Sequence, residues 1–291
     1  MKQLARMICK TILEKNRGEI DPCFSFVSKK VKTQWQSVPK APEGMNLRFH
    51  LTKEIIPWVH VSWLEPFLRS FSETEVCLFL SCLPNDKAKL LQHSLKISKP
   101  LFTPSAFIES FFQKQIANFL MPSNLELYPL SALSGCSMHS LLEISEKELA
   151  LVIDLLGLHD LSVELKQIID NTKLKQIYGL FSAEKQAYLK RLIHKNETVI
   201  FKKIEISRWD GNVETLIPIV HQRGINRLAK GLYSEDPSLI WYVKHRIKKD
   251  DADLFSSLFT TLKHTKAHEF LEKQVLEAST FVQSIRPKEA I

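Results

Sequence analysis

Histidines, cysteines and clustered cations are the residues of this chain that could do chemistry. His264 and His268 stand four apart, which on a helix puts both imidazoles on one face where a divalent metal could bridge them. Two ligands do not make a site, and the nearest carboxylate, Glu269, lies about 100° around the helix from His268. The pair reads as a solvated polar face. Ser134-Gly135-Cys136 with His139 suggests a thiol whose pKa an imidazolium could lower. A spacing of three on a turn is weak support for that pairing. His159-Asp160 resembles a dyad, but Asp160 is accounted for as a helix cap. Phosphate chemistry needs a glycine-rich loop whose amides close on the anion, and neither Gly-x-Gly-x-x-Gly nor Gly-x4-Gly-Lys occurs. Gly-x-Ser-x-Gly and His-Glu-x-x-His are missing too. The expectation is a protein that is not an enzyme and carries no metal or cofactor.

The cations form two sets. Lys29, Lys30 and Lys32 lie beside Phe24, Phe26 and Trp35, an interleaving that can hold phosphates and stack bases. Lys29, Lys30, Lys32 and Trp35 would therefore carry a nucleic-acid-binding alternative. The second set runs from Lys202 and Lys203 through Arg223, Arg227 and Lys230 to Lys244, His245, Arg246, Lys248 and Lys249. Glu235, Asp236, Asp250, Asp251 and Asp253 dilute it. Ordinary solvated faces are its first reading, docking to an acidic protein its second. A helix ending at Gly224 and another over Ile225–Tyr233 would bring Arg223, Arg227, Lys230 and Trp209 to one corner without acidic partners in the same turn. With Trp241 and Arg246 these form the expected protein-binding set, although Trp58, Trp63 and Trp241 read first as core residues.

Helices must position these groups. Ser72-Glu73-Thr74-Glu75 and Ser145-Glu146-Lys147-Glu148 are capping boxes. Ser105 opens a stripe of Phe107, Ile108, Phe111, Phe112, Ile116, Phe119 and Leu120 at spacings of three and four, read as core. Gly157 can close the helix begun at Ser145, and Asp160 can cap the next. Thr172, Ser182, Asp210 or Asn212, and Asp236-Pro237 start further helices, and a last one covers Lys266–Gln283. Thr198–Ile206 alternates enough for a strand but has no partner, so it reads as helix or loop.

Proline is crowded into the second quarter and scarce in residues 130–286, so the second half can sustain long helices. The expected organisation is a short amphipathic helix (Leu4, Ile8, Ile12) and basic flexible connector over 1–46, a helical subdomain over 47–125 and a helical domain over 126–291. The fold class is all-α, an irregular stack of short antiparallel or orthogonal helices, superhelical or right-handed helical-repeat-like. No exact repeat of 34 or 40 residues occurs. At 291 residues and 44% apolar composition the chain can fill a real core, and only 8 glycines exclude collagen-like or linker-like classes. The net charge of +8 is concentrated at the start, with +6 in residues 1–50. No apolar run approaches a membrane span, and no signal-peptide core is present. Five cysteines without a Cys-x-x-Cys pair read as reduced thiols of a cytoplasmic protein.

Arg208-Trp209-Asp210-Gly211, His221 through Lys230, and Ser238 through Arg246, with Leu151–Leu161 and Leu174–Leu192, resemble cytoplasmic accessory proteins of bacterial type III secretion systems, the SctK-like sorting-platform adaptors. The stack is more loosely similar to the flagellar motor switch protein, whose Glu-His-Pro-Gln signature and Met-Phe-x-Phe hinge this chain lacks. The resemblance implies a scaffold at the cytosolic face of the inner membrane. One face would bind the cytoplasmic domain of a membrane-ring protein and another the sorting platform, with no membrane insertion and no small-molecule substrate. A nucleic-acid-binding helical protein and a secreted effector or enzyme are the alternatives.

Overall fold

The computed structural model describes residues 54–121, 127–195, 201, 203–260 and 265–286. The expected N-terminal helix and connector, with Lys29, Lys30, Lys32 and Trp35, lie outside them. All regular structure among the described residues is helical, as the sequence predicts. No helix among them is long and apolar enough to cross a membrane. Contacts divide the chain into two compact units, Met1–Cys136 with Asp236–Ser238, and Ser137–Glu235 with Leu239–Ile291. Composition placed the corresponding boundary after residue 125.

In the first unit a helical segment at 54–58 precedes α1 (Glu65–Leu68), α2 (Glu73–Ser81), α3 (Asn85–Ser94) and α4 (Ala106–Leu120). The capping box at Ser72 is formed: its hydroxyl accepts from the Glu75 amide while the Glu75 carboxylate accepts from the Ser72 amide at 2.8 Å. The Ser72 hydroxyl, donating to the Glu75 carboxylate at 2.7 Å, and then the Ser72 amide hold the Glu75 carboxyl below its ordinary pKa. Ile55, Val59, Leu64, Leu80, Leu91 and Ile116 fill the core. Lys87 buries its stem and donates its ammonium to the Val59 carbonyl, which satisfies a backbone acceptor just past the 54–58 segment.

The second unit holds α5 (Glu146–Leu165), α6 (Asn171–Gly179), α7 (Ala183–Ile193), α8 (Val213–Gly231), α10 (Lys249–Leu258) and α11 (Thr265–Ser284), with most of α9 (Pro237–Arg246). Ser145 caps α5 with the second capping box, Asp170 caps α6 and Asn212 caps α8. Two boundaries differ from the sequence reading. Gly157 does not close a helix and Asp160 does not cap one, because α5 runs straight through both. Likewise α8 continues through Gly224.

Both corrections have one physical cause. The α5–α8 pair is the most extensively packed in this unit, and the two backbones touch at these glycines. A Cβ on Gly157 would sit 1.9 Å from the Val220 carbonyl oxygen, and one on Gly224 1.8 Å from that of Ile153. Each glycine costs a helix interior about 1 kcal/mol relative to alanine, and here it permits a close approach no other residue allows. Of the strand candidate, the described residues 203–205 are irregular and Ile206–Arg208 form a 3-10 turn. This stretch is tethered by Glu164, whose carboxylate accepts from the Ile204 amide and, at 2.9 Å, from the Ile206 amide.

Replacing Gly157 or Gly224 by alanine should cost about 3 kcal/mol, the upper part of the usual overpacking range, because the obstructing atom is backbone. Gly179→Ala, where nothing lies within 4 Å of the new methyl, should change stability by less than about 0.5 kcal/mol. Urea unfolding of the three variants checks this ranking.

Candidate functional site

Charged pairs flank the glycine contact one helical turn away on either side. Toward the C-terminal ends of α5 and α8, Arg227 is fully buried and donates to Asp160 at 2.5 Å. It also donates to the Gln274 side chain on α11, and its guanidinium lies 5.3 Å from the Phe201 ring centroid. The second Asp160 oxygen is buried without a hydrogen-bond donor. Toward the N-terminal ends, Asp154 and His221 meet at 2.7 Å. Lys185 on α7 reaches Asp154 at 2.7 Å, and Asp251 on α10 meets the other nitrogen of His221 at 3.3 Å. The result is a chain of alternating sign, Lys185–Asp154–His221–Asp251.

Hydrogen bonds to Asp154 and Asp251 raise the His221 pKa to about 9, against the opposing effect of burial. Burial alone would raise the Asp154 carboxyl, but the bonds from His221 and Lys185 hold it below the usual carboxylate range. His221 is therefore an imidazolium at neutral pH with both nitrogens committed to carboxylates. Chemically this arrangement fixes protons in place.

The sequence-nominated interface residues do not form one exposed corner. Arg227 lies inside the fold, and its acidic partner was invisible within its own turn because it comes from α5. Trp241 is buried too, stacked on His245 with ring centroids 3.9 Å apart. His245 Nδ1 donates to the Trp241 carbonyl, and burial pushes that imidazole down to about 4, so it is neutral. Lys230 and Arg246 are half-buried and cap backbone: Lys230 donates to the Leu258 carbonyl at 3.1 Å and Arg246 to the Leu142 carbonyl at 3.2 Å. Burial lowers the pKa of both. Trp209 is half-buried and its indole donates to the Asn212 carbonyl at 2.8 Å. Arg223 is half-buried on α8.

The other nominated groups also separate. His159 meets the Tyr188 hydroxyl at 3.1 Å while Asp160 takes Arg227, so the apparent dyad splits between two partners. His139 approaches Glu143 at 3.6 Å, and His268 meets Ser234 at 3.0 Å; His264 lies outside the described residues.

A surface the sequence assigned to the core is instead open. On α4 the buried side consists of Ile116, Ala117 and Leu120, with Phe112 against Phe79 at 4.6 Å between centroids. Phe107 is 81% exposed, Phe111 50% and Phe119 48%. The stripe is wider than one packed face can cover, and its phenylalanines at 107 and 111, four apart, share the uncovered side. Sequence reading also missed Asp154, Lys185, His221, Asp251 and Gln274. The available signal was a pair of matched frames around the two glycines, Asp154-x-x-Gly157-x-x-Asp160 and His221-x-x-Gly224-x-x-Arg227.

No protein-family model, curated protein or solved structure matches the chain.

Arg227→Ala should cost about 3–5 kcal/mol, because it strands a buried carboxylate, whereas Arg223→Ala should cost less than about 1 kcal/mol. Thermal melts distinguish them. The folded state binds the His221 proton more tightly than the unfolded chain does, so this stabilisation is complete below about pH 6.5. It is lost as pH rises through about 9. Allowing for solvent screening, the loss should be on the order of 2 kcal/mol, and His221→Gln should flatten that part of the stability–pH profile.

Proposed function

We propose that this chain is a non-enzymatic scaffold of a bacterial type III secretion system, an adaptor between the membrane ring's cytoplasmic domain and the sorting platform. The resemblance of residues 130–250 to SctK-like adaptors supplies the assembly. The observation that carries an adaptor role is the α4 face, where Phe107 and Phe111 stand open to solvent in a helix otherwise anchored by Ile116 and Leu120. Clustered exposed aromatics on a rigid helix supply large contact area at little conformational cost, the property of binding hot spots. The docking surface is accordingly assigned to α4; of the nominated set, Trp209, Arg223, Lys230 and Arg246 are all half-buried. Arg227 and Trp241 act inside the fold.

The test is affinity purification from the native cell, with and without nuclease, of the intact chain and of Phe107→Ser/Phe111→Ser. Secretion-ring and platform components should co-purify with the intact chain irrespective of nuclease. The variant should stay folded with its melting temperature lowered by no more than about 5 °C, because Phe107 is 81% and Phe111 50% exposed, and should lose at least tenfold of the captured partner. Capture of nucleic acid alone, or equal capture of platform proteins by a folded variant, contradicts the reading.

A further inference from the structure

The residues that meet across α5 and α8 keep a constant separation in sequence. Asp154 and His221 are 67 apart, and so are Asp160 and Arg227. The glycine contacts keep the same register reciprocally: Gly157 meets Val220 and Gly224 meets Ile153. Advancing Ile153 and Gly157 by 67 gives Val220 and Gly224, so the contact maps onto itself. That is the signature of a two-fold relation between two like elements.

The correspondence extends beyond these two helices. Helices of 20, 9 and 11 residues (α5, α6, α7) are followed by helices of 19, 10 and 10 (α8, α9, α10). Buried Leu149, Leu158, Leu161 and Leu165 correspond to buried Leu216, Ile225, Leu228 and Leu232. With one residue less between them, buried Ile177, Phe181 and Leu189 correspond to Val243, Ile247 and Phe255. Asp170 accepts from the Thr172 amide and Asp236 from the Ser238 amide, each at 2.8 Å, so the second helix of each set starts on an equivalent cap. Lys185 pairs with Asp154 as Asp251 pairs with His221, from equivalent places on α7 and α10.

We infer that residues 145–195 and 212–260 are two copies of one three-helix unit. The face around Gly157 and the face around Gly224 form a pairing surface whose fitting partner is another such unit of opposite charge. Positions on the two-fold axis face their own equivalents, so a copy paired with itself would set Asp154 on Asp154 and Asp160 on Asp160, or Arg227 on Arg227. The two copies instead carry Asp-x-x-Gly-x-x-Asp and His-x-x-Gly-x-x-Arg. This surface therefore accepts the other copy and rejects its own kind, a specificity built from repulsion as much as attraction.

Charge exchange in the full chain tests the equivalence. Asp154→His with His221→Asp keeps the axis pair but sets the introduced imidazole against Lys185 and the introduced carboxylate against Asp251. Its melting midpoint should fall by about 5 °C. Adding Lys185→Asp and Asp251→Lys rebuilds the alternating chain in the opposite sense, and should recover at least half of that loss. In this fourfold variant the imidazole at position 154 should titrate well above about 6.5 by nuclear magnetic resonance, as His221 does in the natural chain. A fourfold variant that melts no higher than the double one, or does not fold, overturns the inference, because equivalent sites must tolerate the exchange.

Discussion

Where α5 crosses α8, the carbonyls of Val220 and Ile153 occupy the space that side chains on Gly157 and Gly224 would need. Backbones this close fix the register of the two helices, since a slide along the axis would drive a larger residue into a carbonyl. Register in turn decides which side chains meet one turn away, and the answer is opposite charges at both places. Arg227 cannot reach water, so its pairing with Asp160 and Gln274 is a condition of burying it. A well-packed apolar pair of similar volume is often as stable as a buried ion pair, but it would not distinguish this register or this partner from others.

Several cations among the described residues of the second unit are committed to the fold. Lys230 and Arg246 cap carbonyls, Arg227 is internal, Lys185 neutralises Asp154 and Arg286 clasps Glu148, whose carboxyl is held at about 2. A basic isoelectric point of about 9.1 therefore says little about a partner. Among the described residues, α4 exposes three phenylalanines, Phe107, Phe111 and Phe119. With the adaptor reading proposed above, partner recognition belongs to the first unit and internal pairing specificity to the second.

Local signals were legible in the sequence where one turn of chain determines the outcome. Both capping boxes and the caps at Ser105 and Asn212 follow from a hydroxyl, amide or carboxylate next to the amides it serves. The glycines were not legible, because the same residue ends a helix when it adopts left-handed backbone and spaces a helix when another backbone crosses it. Only the crossing partner decides, and it lies 67 residues away. Arg227 was misplaced for the same reason: its own turn contains no acid. The α4 phenylalanines show the converse limit, since apolar periodicity reveals that a helix has faces but not how many neighbours cover them.

If the α5–α8 contact is the most persistent structure of residues 137–291, native-state hydrogen exchange shows it directly. Amides of 152–161 and 219–229 should be the slowest in the chain, exchanging together with those of 271–278 and only through global opening of this unit. If these segments exchange faster than α6, α9 or α10, or independently of one another, the crossing is not what the unit is built on.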